Sequence, residues 1–180
     1  MRVLILTDKK DWSYWAIAQA LVKHNTDPDL HLDVMALKGR ESEFLSVEKG
    51  HSKVLVMGWQ MAESRAMLKA LDGKRWLTGI HSAHAFDSDL LTTPDDDVLP
   101  LKPLIRFLKK FRGVNAVSQR LTDLFNSSGL NAAYTPNGVD CDIFKPTAPL
   151  STDGPLRVGV AYTPKHDVRK GVSEFIRPAC

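Results

Sequence analysis

Side chains able to do chemistry recur in this chain just after apolar, strand-like runs. His81-Ser82-Ala83-His84 follows Arg75-Trp76-Leu77-Thr78-Gly79-Ile80, and of its two imidazoles His81, directly after the run, can hydrogen-bond a hydroxyl group or a developing charge. Without acidic neighbours, that pair makes a poor metal site. Asp8 to Trp12 follows Val3-Leu4-Ile5-Leu6, with Trp12 and Trp15 offering flat aromatic faces suited to the C–H surface of a sugar or to a core. Gly58 to Gln60, Ser118 and Asn137 to Asp140 close three further runs, and a basic loop, Lys165 to Gly171, follows Leu156 to Ala161. Asp95-Asp96-Asp97 imitates a metal-binding acidic motif, but after Pro94 in a polar loop it reads as a solvated turn. No metal is expected.

Those positions acquire meaning from the elements between them. The run Val3 to Leu6 is continuous rather than alternating, as in a parallel strand covered on both faces. A helix is expected over 13–23, with Ile17, Ala20 and Leu21 on one face. Strands follow at 31–37 (weakened by Asp33) and 53–58, then a helix over 61–71 stopped by Asp72-Gly73. Strand 75–80, a long polar loop, a helix beginning near Pro103, strand 113–117, a helix over 119–127 capped by Ser118 and ended by Gly129, and a short strand at 132–135 complete the pattern. Strand and helix alternate with short connections, which predicts an α/β fold: a Rossmann-like open parallel sheet with helices on both faces. Ligands of such sheets bind at the carboxyl ends of the strands, where the polar residues above lie.

With 180 residues the chain has room for one well-packed domain and a remainder. The remainder starts after a change of composition at 147–155, a Pro-, Ser-, Thr-, Asp- and Gly-containing linker. The expected organisation is a first domain over 1–146, the linker, and over 156–180 the first strand and helix of an incomplete second domain. A lone strand and helix cannot bury their apolar faces unaided, so the sequence is expected to continue. Hydrophobic content of 43%, charged content of 25% and a net charge of +3 fit an ordinary globular protein and do not call for nucleic acid. Two cysteines, Cys141 and Cys180, form neither a disulfide framework nor a CxxC pattern, which fits a reducing, cytoplasmic setting. Residues 101–113 carry Lys102, Arg106, Lys109, Lys110 and Arg112 with no acid. Leu104, Ile105, Leu108 and Phe111 share one helical face, so the stretch is either a core-facing surface helix or a peripheral contact with an anionic membrane.

Val117-Ser118-Gln119-Arg120-Leu121, Gly129, Thr135-Pro136-Asn137-Gly138-Val139-Asp140 and Phe144-Lys145-Pro146 together resemble group 1 glycosyltransferases. The resemblance covers about 30 residues in the family's order. It implies the GT-B fold, two Rossmann-like domains facing across a cleft, of which this chain would hold the amino-terminal, acceptor-side domain. The implied activity is transfer of a sugar from a nucleotide-sugar donor to an acceptor hydroxyl on a glycan, lipid-linked or small molecule, with retention at the anomeric carbon. Neither metal nor cofactor is implied.

Within the resemblance, Lys170, aided by Arg169 or Lys165, would hold the donor diphosphate, fixed cations being suited to a leaving dianion. The commonest family form has an arginine directly after the strand's glycine, and this sequence lacks it. His81 would stand near the sugar and acceptor, hydrogen-bonding a hydroxyl or a developing charge. Asn137 and Gly138 tolerate positive φ, and Asp140 can cap a short turn anchored by Phe144; these and Ser118 would shape the cleft. Trp12 and Trp15 are candidates for stacking on an acceptor sugar. The first loop departs from the family in having no glycine, which leaves the acceptor type open. The family's paired-glutamate motif is absent, so the 180-residue chain is expected to be inactive alone. Two alternatives share the fold: a non-catalytic Rossmann-like adaptor and a GT-B sugar-nucleotide epimerase.

Overall fold

The computed structural model describes residues 1–82, 101–138, 140–143 and 145. The chain divides into two units. The first spans Met1–Ser82 and Pro100–Gly138 and contains every helix and strand described below. Of the second, 140–143 and Lys145 are described.

The first unit is a six-stranded sheet with all five pairings parallel. Its strands are β1 (Arg2–Thr7), β2 (His31–Ala36), β3 (Lys53–Val56), β4 (Trp76–Ile80), β5 (Gly113–Ala116) and β6 (Ala132–Tyr134). The helices are α1 (Ser13–Lys23), α2 (Glu41–Val47), α3 (Arg65–Ala70), α4 (Leu101–Leu108) and α5 (Gln119–Ser127). Strand order is β2-β1-β3-β4-β5-β6. The direction of winding reverses between β1 and β3, leaving a crevice at their carboxyl ends. The expected α/β class and parallel sheet are therefore the observed ones.

Central strands are buried on both faces, as continuous apolar runs require. Leu4, Ile5 and Leu6 of β1 are all buried, and β3 supplies buried Val54 and Val56. On β4, side chains alternate between faces. Trp76 meets Phe44 of α2 edge-to-face at 5.4 Å, which anchors that helix. The other face of the sheet packs on α1, where Ile5, Ala18 and Met57 form a cluster with Tyr14 and Ile17 against it. The stripe on α1 is thus Tyr14, Ile17 and Ala18; Leu21, expected to face inward, is 44% exposed. Neighbouring Val22 is also exposed.

The expected helix over 61–71 is broken into a 3-10 turn, Trp59–Ala62, and α3, whose first turn is capped by Ser64. Helix α5 keeps the expected bounds. Ser118 Oγ accepts from Leu121 N at 3.3 Å. At the other end Gly129 adopts φ +84° while Leu130 N donates to Phe125 O and Gly129 N to Asn126 O, a Schellman closure.

Asp33 in β2 is explained by its partners. Arg2 Nε donates to Asp33 Oδ2 at 2.7 Å, and His51 Nε2 lies 2.8 Å from the same oxygen. Nearby, Arg75 bonds Asp72 Oδ2, the His51 carbonyl and the buried carboxylate of Glu48. This network ties the amino-terminal ends of β1, β2 and β4, opposite the edge formed by the strands' carboxyl ends. Arg2 holds the Asp33 carboxyl below its ordinary range, with His51 adding to the effect against partial burial.

Helix α4 turns Leu104, Ile105 and Leu108 into the core, and Phe111 just beyond it is buried as well. Lys102, Arg106, Lys109, Lys110 and Arg112 face solvent. The apolar stripe of 101–113 is consumed by the fold and is not available to enter a bilayer. Among the described residues no helix is long and apolar enough to cross a membrane.

Candidate functional site

The carboxyl ends of β1, β3 and β4 bring together Asp8, Gly58 and His81, and the first turn of α1 lays Tyr14 across them. A Cβ at Gly58 would stand 2.9 Å from Tyr14 Cε2 and 3.0 Å from its hydroxyl oxygen. Glycine at 58 is therefore what lets the phenol ring lie on the end of β3. The Tyr14 and His81 rings meet edge-to-face at 4.8 Å.

His81 is partly buried, and its Nε2 is closed off from solvent without a hydrogen-bond partner. That atom occupies the space a side chain at residue 79 would fill. A Cβ on Gly79 would lie 2.7 Å from His81 Nε2, 2.7 Å from the Met57 carbonyl oxygen and 3.1 Å from Asn115 Oδ1. Asn115 comes there because β4 and β5 pair with Gly79 opposite Asn115. Burial lowers the imidazole pKa, and the Met57 carbonyl opposes that shift only in part. His81 is thereby biased to the neutral form, able to accept a hydrogen bond near neutrality.

Asp8 Oδ1 is likewise buried without a partner. Burial and then the Asp8 charge raise the Tyr14 pKa, so the phenol stays protonated and remains a donor. A carboxylate, a phenol and a neutral imidazole thus share one end of the sheet at the winding reversal. Such a set suits a ligand bearing hydroxyl groups.

The first loop supplies an apolar and cationic rim. Trp12 is 53% exposed, with Lys9 Nζ 3.7 Å from its ring centroid; Lys10 Nζ is 5.7 Å from that of half-buried Trp15. Asp11 adopts φ 59°, a conformation in which glycine is at ease and aspartate tolerable. The loop without glycine makes its left-handed turn all the same.

The other candidates separate. Ser118 is spent on the α5 cap. Asn137 and Gly138 are exposed, and neither takes the positive φ anticipated for them. A Cβ on Gly138 would touch nothing, so the backbone there does not require glycine. Asp140 does cap a turn: Asp142 N donates to its Oδ1 at 3.0 Å and Ile143 N to its carbonyl at 3.1 Å. Lys165, Arg169, Lys170, His84, Phe144 and Asp95 to Asp97 lie outside the described residues.

Sequence reasoning placed His81 and the loop from Asp8 correctly on this edge and missed Tyr14, Gly79 and Asn115. A glycine inside a strand was the available signal for Gly79, since it marks close approach of another group. Comparison with protein-family models, with curated proteins and with solved structures found no match for the chain.

Proposed function

We propose that the chain carries the acceptor-side domain of a glycosyltransferase that moves a sugar from a nucleotide-sugar donor to an acceptor hydroxyl without a metal ion. The observation that carries this reading is His81. It sits at the carboxyl end of β4 with one nitrogen sealed and its pKa depressed, beside Tyr14 and close to the β1–β3 reversal. A neutral imidazole there accepts a hydrogen bond from a sugar hydroxyl through its bare nitrogen and, once protonated, donates one to a developing negative charge. The family-like run from Val117 to Pro146 adds support in sequence, with the Asp140 turn and the Ser118 cap as its local structure. The exposed Trp12 face is then an acceptor contact, and Lys170, with Arg169 or Lys165, the diphosphate ligand. A cytoplasmic location, with electrostatic membrane contact through the solvent-facing cations of 101–113, fits lipid-linked acceptors.

The test is equilibrium binding of a panel of sugar nucleotides to the full-length gene product and its Lys170→Ala variant. Binding of at least one donor, weakened about tenfold or more by the substitution (about 1.4 kcal/mol), supports the transferase. Failure to bind any donor, with the protein folded, would replace it by the adaptor reading.

A further inference from the structure

A neutral imidazole accepts a hydrogen bond from a hydroxyl group only through the nitrogen that lacks a proton. Which nitrogen that is depends on what the other one faces. At His81 the question has a structural answer. Nε2 is buried over Gly79 without a hydrogen bond of ordinary geometry. The point a residue-79 Cβ would occupy, 2.7 Å from Nε2, lies 2.7 Å from the Met57 carbonyl oxygen and 3.1 Å from Asn115 Oδ1. Both are acceptors, and of the two the Met57 carbonyl acts on the imidazole. A backbone carbonyl cannot be turned round to donate, whereas an amide side chain can; the Met57 oxygen therefore decides the sign. Gly79 is required for this arrangement, because a Cβ would stand 2.7 Å from both Nε2 and the carbonyl.

We propose that the Met57 carbonyl, with Asn115 as a positioning residue, fixes the His81 proton on Nε2 and leaves Nδ1 as the lone-pair nitrogen presented to a hydroxyl-bearing ligand. Burial of the ring depresses its pKa, and the Met57 carbonyl opposes that shift in part. Around the ring, among the described residues, the titratable neighbour is Tyr14 of α1, itself under the field of Asp8. From β3 and β5, the Met57 carbonyl and Asn115 Oδ1 share with Nε2 the space over Gly79. Tyr14, held neutral, meets the imidazole at an interplanar angle of 62° and brings no charge to bear on the tautomer. The use of Nδ1 on an acceptor rests on the proposed function, but the tautomer does not, and the two fail separately.

The experiment is long-range 1H–15N correlation of the imidazoles of the 15N-labelled 180-residue chain above pH 7.5, with His81 assigned by loss of its signals in His81→Gln. The expected spectrum shows the Nε2–H tautomer in excess by about tenfold, an energy gap of about 1.4 kcal/mol. A dominant Nδ1–H tautomer, or an even mixture, overturns the proposal. Asn115→Asp adds a second readout that a merely structural asparagine would not move. A carboxylate beside Nε2–H should raise the His81 titration midpoint by about one unit. A midpoint within about 0.2 units of the parent, in a variant shown folded by circular dichroism, removes Asn115 from the account. If that variant does not fold, the parent's tautomer still decides.

Discussion

Replacing Gly79 by alanine gives a quantitative test of how the site is built. The new Cβ would lie 2.7 Å from the Met57 carbonyl oxygen, 2.7 Å from His81 Nε2 and 3.1 Å from Asn115 Oδ1. Ordinary contact begins near ~3.4 Å, so the carbonyl and the imidazole must each give way by roughly 0.7 Å. The imidazole is the end of a side chain and can swing out. The carbonyl belongs to backbone held by the neighbouring strand, Met57 N donating to Leu6 O at 3.0 Å. Overpacking of this kind costs about 1–3 kcal/mol. For a chain of this size that lowers Tm by roughly 2–4 °C per kcal/mol. Urea denaturation of Gly79→Ala beside Gly50→Ala measures it, since a Cβ at Gly50 meets nothing. Gly50→Ala should stay within about 0.5 kcal/mol of the parent. His81→Ala made on top of Gly79→Ala should recover only part of the loss, because the carbonyl clash remains. A Gly79→Ala protein as stable as the parent would refute the reasoning, and with it the placement of His81 over residue 79.

Three further outcomes follow from the same structure. Arg75→Met should cost about 2 kcal/mol, because Glu48 is left as a buried carboxylate without its cation. The figure is discounted since Arg75 keeps 26% of its side chain exposed, and Glu48→Gln on the same background should restore much of it in a double-mutant cycle. Ser118→Ala should lose about 1 kcal/mol by thermal denaturation, with donor and acceptor affinities unchanged, because the hydroxyl is committed to the Leu121 amide. His81 has a folded pKa below the ordinary 6.5, so between that value and its folded pKa the unfolded chain binds more protons. Stability should therefore fall as pH is lowered from about 6.5, and His81→Gln should flatten that part of the profile. A profile steeper in His81→Gln would contradict the burial argument.

Much of the fold could be read from pattern because its determinants are local. The continuous run Val3 to Leu6 announced a doubly covered strand, and Ser118 with Gly129 bracketed α5 to the residue. Helix α2 escaped because a single buried aromatic, Phe44, holds it, and its partner Trp76 is 32 positions away. Asp33 looked like a flaw in β2 for a similar reason: Arg2 and His51 reach it only once β1 pairs with β2 on one side and β3 on the other. The site follows this rule. His81 could be found from its place after an apolar run. Gly79 and Asn115 become neighbours only through the β4–β5 register, and Tyr14 joins them only when α1 packs over β3. The misassigned face of α1 had the same origin, since a short amphipathic pattern admits two adjacent stripes and the sheet chooses between them.

The most direct test of the central claim is sugar transfer by the full-length gene product, followed to an acceptor hydroxyl with each nucleotide sugar it binds, beside His81→Gln. Turnover is expected with at least one donor, and kcat should fall about 100-fold in the variant with donor affinity unchanged. Undiminished turnover in His81→Gln would contradict the assigned role of the imidazole, and absence of transfer with every donor would contradict the glycosyltransferase itself.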